Sequence, residues 1–430
     1  MSLVVKGKAL IQGKIEECCL GIEDGKICAI KKILKGDKIR SFPHKVILPA
    51  GVDVHVHFRD PGMTHKEDFK SGSMSAAYGG LTCICDMPNT IPPVTSMELL
   101  EKKKRIAIKK SYIDFGLFAA ISNDNYTKFS KLNKYCQGFK IFLGQSTQAI
   151  KLDKDNLKTV FSSIEKDNKP IFFHAEDDTC LQMHKKRSFN CVDHIESRPA
   201  ICEKIAIISV LKATSKIRNR IHICHLSSLE GLNALINKPG NVSVGVTPHH
   251  LFFDLDAINT KSSFYKVNPP IRSSIDRESL WGALKSGNID IIESDHAPHT
   301  INEKKQDFDD APSGIPGVET TYPMLLAMVK KDKLNLQLAT SIMCKRPSEI
   351  IGIPKGMISV GMDADFIAVD FSKISKIKSN FLHYKCEWTP FEGKDALFPT
   401  DVFLRGEQII EDKEIVMDMG CGNEISPTFQ

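Results

Sequence analysis

The feature that most restricts the fold is a unit that recurs between Val52 and Pro298, in which a short apolar run precedes a polar turn and a helix-like stretch. Runs such as Thr82-Cys-Ile-Cys85 and Ile171-Phe-Phe173 are almost continuously apolar, as expected of strands buried on both faces. Eight such runs alternating with helices predict an α/β fold, a (β/α)8 TIM-like barrel. The predicted strands are Val52–Phe58, Leu81–Met87, Asp114–Ile121, Gly138–Leu143, Pro170–Ala175, Arg220–Leu226, Val242–Thr247 and Ile289–Ser294.

The two ends of the chain have a different texture. Residues 1–48 and 355–430 are rich in short alternating runs and glycine turns, which are typical of strands and hairpins. We therefore predict that both ends meet in one small β-sandwich domain beside a barrel formed by residues 49–354. Within the barrel, the first helix is predicted to begin at Thr64, because Thr64 and Glu67 have capping-box spacing, and to end at Gly79-Gly80.

Composition excludes several classes of protein. A formal net charge of +6 is mild for 430 residues, so it does not indicate nucleic-acid binding, although it would not repel an anionic substrate. The sequence shows neither a signal-peptide layout nor an apolar run long enough to cross a bilayer. Its 13 cysteines, without any CxxC pair, favour reduced thiols. We expect a cytoplasmic protein that acts on a small molecule. Whether it forms a homo-oligomer is left open by the sequence.

Polar side chains collect where the predicted strands end. Because barrel chemistry occurs at the C-terminal ends of the strands, we expect these side chains to converge on one rim. Taken singly, each histidine could be a core residue, and Asp295 could be a helix cap. Together, imidazole and carboxylate groups suit Zn²⁺. The candidate metal-binding residues are His55, His57, Lys140, His174, His225 and Asp295.

Lys140 is unusual because it lies in a predicted buried strand between Phe139 and Ile141. An unpaired ammonium there would cost several kcal/mol. It could form an ion pair with a carboxylate, or it could react with CO₂ to give an anionic carbamate. The two oxygens of a carbamate could bridge two zinc ions. The residues alone leave both interpretations open.

A set of short motifs resembles the amidohydrolase superfamily, and within it the class I dihydroorotases. The resemblance covers nearly the whole chain, including the segments from Gly314 to Thr320 and from Trp388 to Gly393. Some class I members bridge their metals with an aspartate, but the segment around Lys140 is similar to the carboxylysine type. The motifs are His55-Val-His57-Phe-Arg59-Asp-Pro-Gly62, Met87-Pro-Asn89-Thr90, Gly138-Phe-Lys140, His225-Leu-Ser-Ser228, Asn268-Pro-Pro-Ile-Arg272 and Ser294-Asp-His-Ala-Pro-His299.

The resemblance implies a reaction and a role for each residue. The reaction is the reversible, zinc-dependent hydrolysis of L-dihydroorotate to N-carbamoyl-L-aspartate in pyrimidine biosynthesis. Two Zn²⁺ per subunit would be held by His55 with His57 and by His174 with His225, with a CO₂-derived carbamate on Lys140 as the bridge. Asp295 would contact the first metal and act as catalytic base and then acid. The implied substrate-binding residues are Arg59, Asn89, Asn268, His299, Ser313 and Gly314.

Several alternatives remain at this point. Arg59 could pair with Asp60 or Glu67, Asn89 could be a plain turn residue, and His299 could be a solvated loop histidine. Another cyclic amidohydrolase, either an allantoinase or a hydantoinase, would share the metal ligands. A catalytically silent scaffold related to dihydroorotases is a further possibility. His222 is expected in the core, and His249 and His250 are expected to support the site without binding metal.

Overall fold

The computed structural model describes residues 1–127, 129–132, 135–144, 150–164, 169–215 and 217–426. The first strands are β1 (Leu3–Ile11), β2 (Lys14–Glu23), β3 (Lys26–Lys31) and β4 (Lys38–Pro49). The central strands are β5 (Gly51–Val56), β6 (Leu81–Asp86), β7 (Asp114–Ile121), β8 (Gly138–Phe142), β9 (Ile171–His174), β10 (Ile221–Ile223), β11 (Val242–Val246) and β12 (Ile291–Ile292). The last strands are β13 (Phe366–Val369), β14 (Ser375–Lys376), β15 (Asp395–Ala396), β16 (Asp401–Leu404), β17 (Glu407–Glu411) and β18 (Glu414–Ile415).

Helices occupy most of the intervals between the central strands, and further helices follow β12. They are α1 (Phe69–Tyr78), α2 (Met97–Lys110), α3 (Leu157–Ile164), α4 (Asp178–Met183), α5 (Cys191–Ser197), α6 (Ala200–Thr214), α7 (Leu229–Ala234), α8 (Pro248–Phe252), α9 (Ser274–Ser286), α10 (Ile301–Lys304), α11 (Thr321–Lys330), α12 (Leu336–Thr340) and α13 (Arg346–Ile351). Capping side chains fix many of the starts; Ser96, for example, accepts from the Leu99 N–H ahead of α2. Across the described ranges, none of these helices is both long and apolar enough to cross a membrane.

The central strands form the predicted barrel. Strands β5 to β12 pair in chain order, each parallel to the next, and their residues are almost all buried. All eight predicted runs overlap one of these strands, and helices follow most of them. The (β/α)8 fold is therefore confirmed. The order of the strands brings their C-terminal ends to a single rim.

The seam between β5 and β12 is held differently from the other strand pairs. One backbone bond crosses it, from the His57 N–H to the His296 carbonyl at 2.9 Å. The Asp53 carboxylate accepts from the Ser294 N–H at 3.2 Å and from the His55 N–H at 3.1 Å. Burial raises the pKa of Asp53 to about 7. The Asp53 carboxylate thus takes the place of some of the backbone hydrogen bonds that would otherwise join β5 to β12. One of its two donors is the backbone of the candidate metal ligand His55.

The two ends of the chain build one mixed sheet, as predicted for the small β domain. Its strand order is β18-β17-β16-β13-β4-β1-β2-β3, so β4 from the N-terminal end pairs with β13 from the C-terminal end. Val5, Leu20, Phe366 and Phe403 belong to its own apolar core. The opposite face contributes Leu48 to the core of the barrel. The boundaries of 1–48 with 355–430, and of 49–354 for the barrel, stay predictions.

The prediction that the first helix begins at Thr64 is wrong. The helix α1 begins at Phe69, because the Asp68 carboxylate caps it and accepts from the Ser71 N–H at 2.9 Å. The segment from Thr64 to Glu67 is instead irregular, with Glu67 fully buried. Two overlapping capping signals compete here, and the later one determines the start of the helix.

The structure also differs from the expectation of reduced thiols at one pair. Cys180 at α4 and Cys202 at α6 form a disulfide, while the other 11 cysteines form none. The two positions are separated by 22 residues and share no sequence motif. Packing of α4 against α6 brings them together, and spacing alone gives no signal of it.

Candidate active site

Three of the candidate metal ligands form a first cluster at the barrel rim. His55 lies in β5, His57 follows the same strand, and Asp295 follows β12. Asp295 Oδ1 is 3.0 Å from His57 Nε2 and 3.5 Å from His55 Nε2. All three side chains are buried. Two imidazole nitrogens and one carboxylate oxygen thus converge within 4.8 Å of one another, close enough to share one cation.

The other two histidines form a second cluster beside the first. His174 ends β9, and His225 follows β10. His174 Nδ1 lies 3.1 Å from His225 Nε2. The ring centroids of His55 and His225 are 5.4 Å apart, which makes the two clusters neighbours.

The side chains around the two clusters control which ring nitrogen carries the proton. Asn89 Oδ1 contacts His57 Nδ1, so His57 carries its proton there and its Nε2 presents a lone pair to Asp295. Glu176 Oε2 accepts from His174 Nε2 at 2.7 Å, which leaves a lone pair on His174 Nδ1. His225 Nδ1 is buried and has no hydrogen-bond partner among the described residues. Lone pairs that face a carboxylate or another imidazole fit a cation held between them.

Lys140 lies in β8 and is completely buried. Its Nζ is 3.3 Å from His55 Nε2 and 3.0 Å from the Cys224 sulfur, and it lies 5.3 Å from the centroid of the Phe142 ring. Within the described ranges, no carboxylate lies at ion-pair distance from this ammonium, so the ion-pair interpretation finds no partner. A carbamate would carry negative charge at the point where the imidazoles meet, and the surroundings fit that group.

Asp295, His225 and Arg59 share a strained backbone. Their φ values are 45°, 38° and 61°, in the left-handed region that residues other than glycine rarely adopt. Each of these residues directly follows a barrel strand or lies within a few residues of its end. The strained turns direct their side chains back into the pocket.

A pocket opens over the two clusters. It is lined by His55, His57, His174, His225 and Asp295, by Arg59, Asn89, Asn268, Ser313 and Gly314, and by Phe142, Val267 and Ala297. The structure thus brings together all the sequence-predicted site residues, with Lys140 beneath the pocket and His299 beside it. The metal and substrate roles of these residues stay proposals.

One side of the pocket is strongly basic. The Arg59 guanidinium donates to the Pro298 carbonyl at 3.3 Å, and its Nη2 lies 3.2 Å from His299 Nε2. The ion pair with Asp60 that the sequence left open does not form, because Asp60 pairs with Lys110 at 2.7 Å. Burial lowers the pKa of Arg59 to about 10, so it keeps its charge at neutral pH. His299 is 2% exposed, which excludes a solvated loop histidine.

The loop that carries Ser313 and Gly314 is held against this side. Gly314 has a φ of 152°, and a Cβ there would come within 2.3 Å of the Ala297 carbonyl oxygen, so glycine is required. The buried Lys304 donates to the carbonyls of Pro312 at 2.9 Å and Gly314 at 3.2 Å. The Ser313 carbonyl lies 3.1 Å from His299 Nε2.

Several supporting residues were missed from the sequence. Glu293 accepts from the His225 N–H at 2.5 Å and contacts His222 at 3.2 Å, while Glu176 pairs with Arg198. Glu293 follows two isoleucines in a predicted strand, which was the available signal. The expectation that His222 lies in the core is confirmed, since it is fully buried. Lys66 contacts His299, but nothing in the sequence indicated this, because the predicted capping box placed Lys66 in the first turn of a helix.

His249 and His250 lie in α8, behind the pocket. His250 contacts Thr247 Oγ1 at 2.7 Å and the Pro269 carbonyl at 3.1 Å, and it thereby supports the segment that carries Asn268. His249 is fully buried, and both of its ring nitrogens lack a partner among the described residues.

Loss of the Glu176 carboxylate should weaken metal binding. In the variant Glu176→Gln, the amide replaces the charged acceptor of His174 Nε2 and leaves Arg198 without its anion. If the site holds zinc, as the sequence predicts, the affinity for zinc should fall about 10- to 100-fold, measured by competition with a chelator. The matched control is Glu319→Gln, which removes a buried carboxylate that contacts His383 at 2.8 Å, away from the pocket. Equal zinc affinities for the two variants would contradict the role of Glu176.

Known proteins resemble this chain over almost its whole length. A model described as the amidohydrolase family matches residues 46–409. A dihydroorotase of Methanosarcina acetivorans is 37% identical over 93% of this chain and 90% of its own length. A dihydroorotase of Thermoplasma acidophilum is 37% identical over 97% of each chain.

Solved structures agree with this assignment. The L-hydantoinase (dihydropyrimidinase) of Arthrobacter aurescens superposes with a TM-score of 0.93 at 27% identity, over 98% of this chain and 99% of its own. A dihydropyrimidinase of Brevibacillus agri shares the fold, with a TM-score of 0.91 over 100% of both chains at 23% identity. The chain belongs to the amidohydrolase family.

Proposed function

We propose that this chain is a dihydroorotase, which reversibly hydrolyses L-dihydroorotate to N-carbamoyl-L-aspartate in pyrimidine biosynthesis. The observation that carries the proposal is one pocket that combines the imidazole and carboxylate clusters with Arg59, a buried guanidinium that has no carboxylate partner among the described residues. The imidazole and carboxylate clusters can hold a metal that hydrolyses the substrate, and Arg59 can bind an anionic group of the substrate. Relatives named dihydroorotase, similar over nearly the full length, support this reading.

We further propose that the site holds two zinc ions. His55, His57 and Asp295 would hold one, His174 and His225 would hold the other, and a carbamate on Lys140 would join them. The mixture of imidazole and carboxylate donors and the facing lone pairs support this assignment. When bound, the zinc ions would lower the pKa of a shared water and polarise the amide carbonyl of the substrate.

The protein's own groups would move the proton and hold the substrate. Burial alone would raise the pKa of Asp295, but the nearby His55 ring brings it well below its usual range. An ionised Asp295 can accept a proton from the attacking water and then donate it to the ring nitrogen that leaves. The guanidinium of Arg59 offers a planar fork to the substrate carboxylate. Asn268, which lines the pocket, would bind the pyrimidine ring through its amide.

Two alternative functions fit less well. Solved structures similar to this chain include hydantoinases, but a hydantoinase does not require a basic carboxylate site such as Arg59 with His299. The same contrast argues against an allantoinase, together with the Asp295-His-Ala-Pro-His299 motif. A silent scaffold would have no reason to keep every candidate metal ligand buried in and beneath one pocket. The cytoplasmic location and the homo-oligomer stay predictions.

Substrate preference tests the proposal. The purified protein, loaded with zinc, should hydrolyse L-dihydroorotate faster than allantoin or hydantoin, and it should close the ring of N-carbamoyl-L-aspartate at lower pH. The measurement is the change in ultraviolet absorbance of each substrate, with the metal content determined in the same sample. Faster turnover of allantoin or hydantoin would overturn the assignment. Substoichiometric metal with no turnover would favour the scaffold.

A further inference from the structure

Lys66 is a nearly buried lysine with no place in the mechanism above. It lies in the irregular segment between β5 and α1 and is 9% exposed. Its Nζ is 2.7 Å from Glu303 Oε1 and 3.0 Å from His299 Nδ1. Glu303 is itself fixed, because it forms a capping box with Thr300 at the start of α10. The ammonium of Lys66 is thereby held against one particular nitrogen of His299.

This contact decides where His299 carries its proton. An ammonium can donate hydrogen bonds but cannot accept them, so His299 Nδ1 must present a lone pair to Lys66. Burial, Arg59 and Lys66 together hold the pKa of His299 well below its usual range, so the ring is neutral at pH 7. A neutral ring with a free Nδ1 carries its proton on Nε2.

The other side of the His299 ring faces the pocket residue Arg59. His299 Nε2 is 3.2 Å from Arg59 Nη2 and 3.1 Å from the Ser313 carbonyl oxygen. With the proton on Nε2, the ring donates to Ser313, and the contact with Arg59 brings two donors together. An anionic oxygen placed between those two donors would accept from Arg59 and share the Nε2–H of His299 with the Ser313 carbonyl oxygen. The geometry therefore suits a carboxylate, and it does so only in this tautomer.

We propose that Lys66 is a positioning residue that fixes His299 as the Nε2–H tautomer and so makes it a donor to the substrate carboxylate. Lys66 does not touch the substrate itself. Without Lys66, the proton could move to Nδ1, because Nε2 would then accept from Arg59 instead of donating to Ser313, and the ring would present a lone pair towards the carboxylate. The inference rests on the proposed function, because it presumes a substrate that carries a carboxylate.

The first test separates substrate binding from turnover. In zinc-loaded Lys66→Met, the KM for L-dihydroorotate should rise about tenfold or more, while kcat should stay within about twofold of the wild type. Lys66→Arg keeps a donor at this place and should restore part of the lost affinity. Arg59→Met serves as a positive control for loss of carboxylate binding. An unchanged KM in Lys66→Met would overturn the proposal.

The matched control is Lys385→Met. Lys385 donates to the Thr64 carbonyl at 3.0 Å and to the Asp68 carboxylate at 2.6 Å, so it tethers the same segment without contacting His299. This variant should keep the KM of the wild type. If it raised KM as much as Lys66→Met does, the effect would come from the position of the segment, and the tautomer proposal would fall.

The second test does not depend on turnover. Nitrogen-15 NMR of the zinc-loaded protein labelled at histidine should show His299 protonated at Nε2, with the signal assigned by its loss in His299→Gln. In Lys66→Met, or in Lys66→Gln if the first variant does not fold, the signal should shift towards a mixture of tautomers. An unchanged Nε2–H signal would overturn the proposal. Absence of dihydroorotate turnover by the wild type would instead refute the proposed function and leave this test valid.

Discussion

Replacing Lys140 with alanine should abolish hydrolysis of L-dihydroorotate and lower the zinc content of the purified protein. Lys140 is completely buried, and its Nζ lies 3.3 Å from His55 Nε2 without a carboxylate partner in the described part of the chain. If it carries the proposed carbamate, its loss removes an anionic ligand from both zinc ions. We expect kcat to fall by at least about 10³-fold, since the ions supply several kcal/mol of transition-state stabilisation. Steady-state kinetics and elemental analysis measure the two effects.

Two controls separate this chemistry from simple loss of volume. Lys140→Met fills the space of the side chain without its nitrogen, and it should be as inactive as Lys140→Ala. Added acetate should restore some activity to Lys140→Ala, because a small carboxylate can enter the space and replace the anion. It should not restore Lys140→Met, where the space is filled. Wild-type activity and zinc content in either variant would rule out the carbamate bridge.

Asp295→Asn should remove proton transfer while leaving the pocket nearly unchanged in shape. The amide has no ionisable oxygen, so it cannot accept a proton from the attacking water. We expect kcat to fall about 10²- to 10⁴-fold with a smaller change in KM, measured by steady-state kinetics. Because the pKa of Asp295 lies well below its usual range, the defect should persist across the neutral pH range.

The matched control for this variant is Asp254→Asn. Asp254 is also buried, but it pairs with Arg277 at 2.7 Å and does not line the pocket. This change should lower stability in a thermal unfolding experiment while kcat stays close to that of the wild type. A kcat for Asp295→Asn that matches the wild type would exclude Asp295 as the catalytic base.

The barrel and the candidate site residues at the ends of its strands could be predicted from the sequence, because both follow from local patterns. A run such as Ile171-Phe-Phe173 has few ways to hide its apolar side chains except as a strand buried on both faces. Parallel order then brings the ends of all such strands to one rim. His174 and His225 are 51 positions apart in the chain, yet each directly follows a run of this kind.

The residues that support these site residues could not be predicted, since their roles depend on tertiary contacts. Lys66 lies in a segment with a plausible capping signal, and only the competition from Asp68 moves the start of α1 and frees Lys66 to meet His299. Glu293 looks like an ordinary polar residue at the end of a strand until β10 brings His222 and His225 against it. The disulfide between Cys180 and Cys202 depends likewise on how two helices pack.

The seam between β5 and β12 has a consequence for the energetics of the whole protein. The candidate metal ligands lie on both of its sides, with His55 and His57 on one edge and Asp295 on the other, while one backbone bond and the Asp53 carboxylate hold the edges together. A cation bound by all three side chains would therefore tie the first strand of the barrel to the last. Its binding free energy would count directly toward closing the barrel. Separation of β5 from β12 and release of the metal would then occur together.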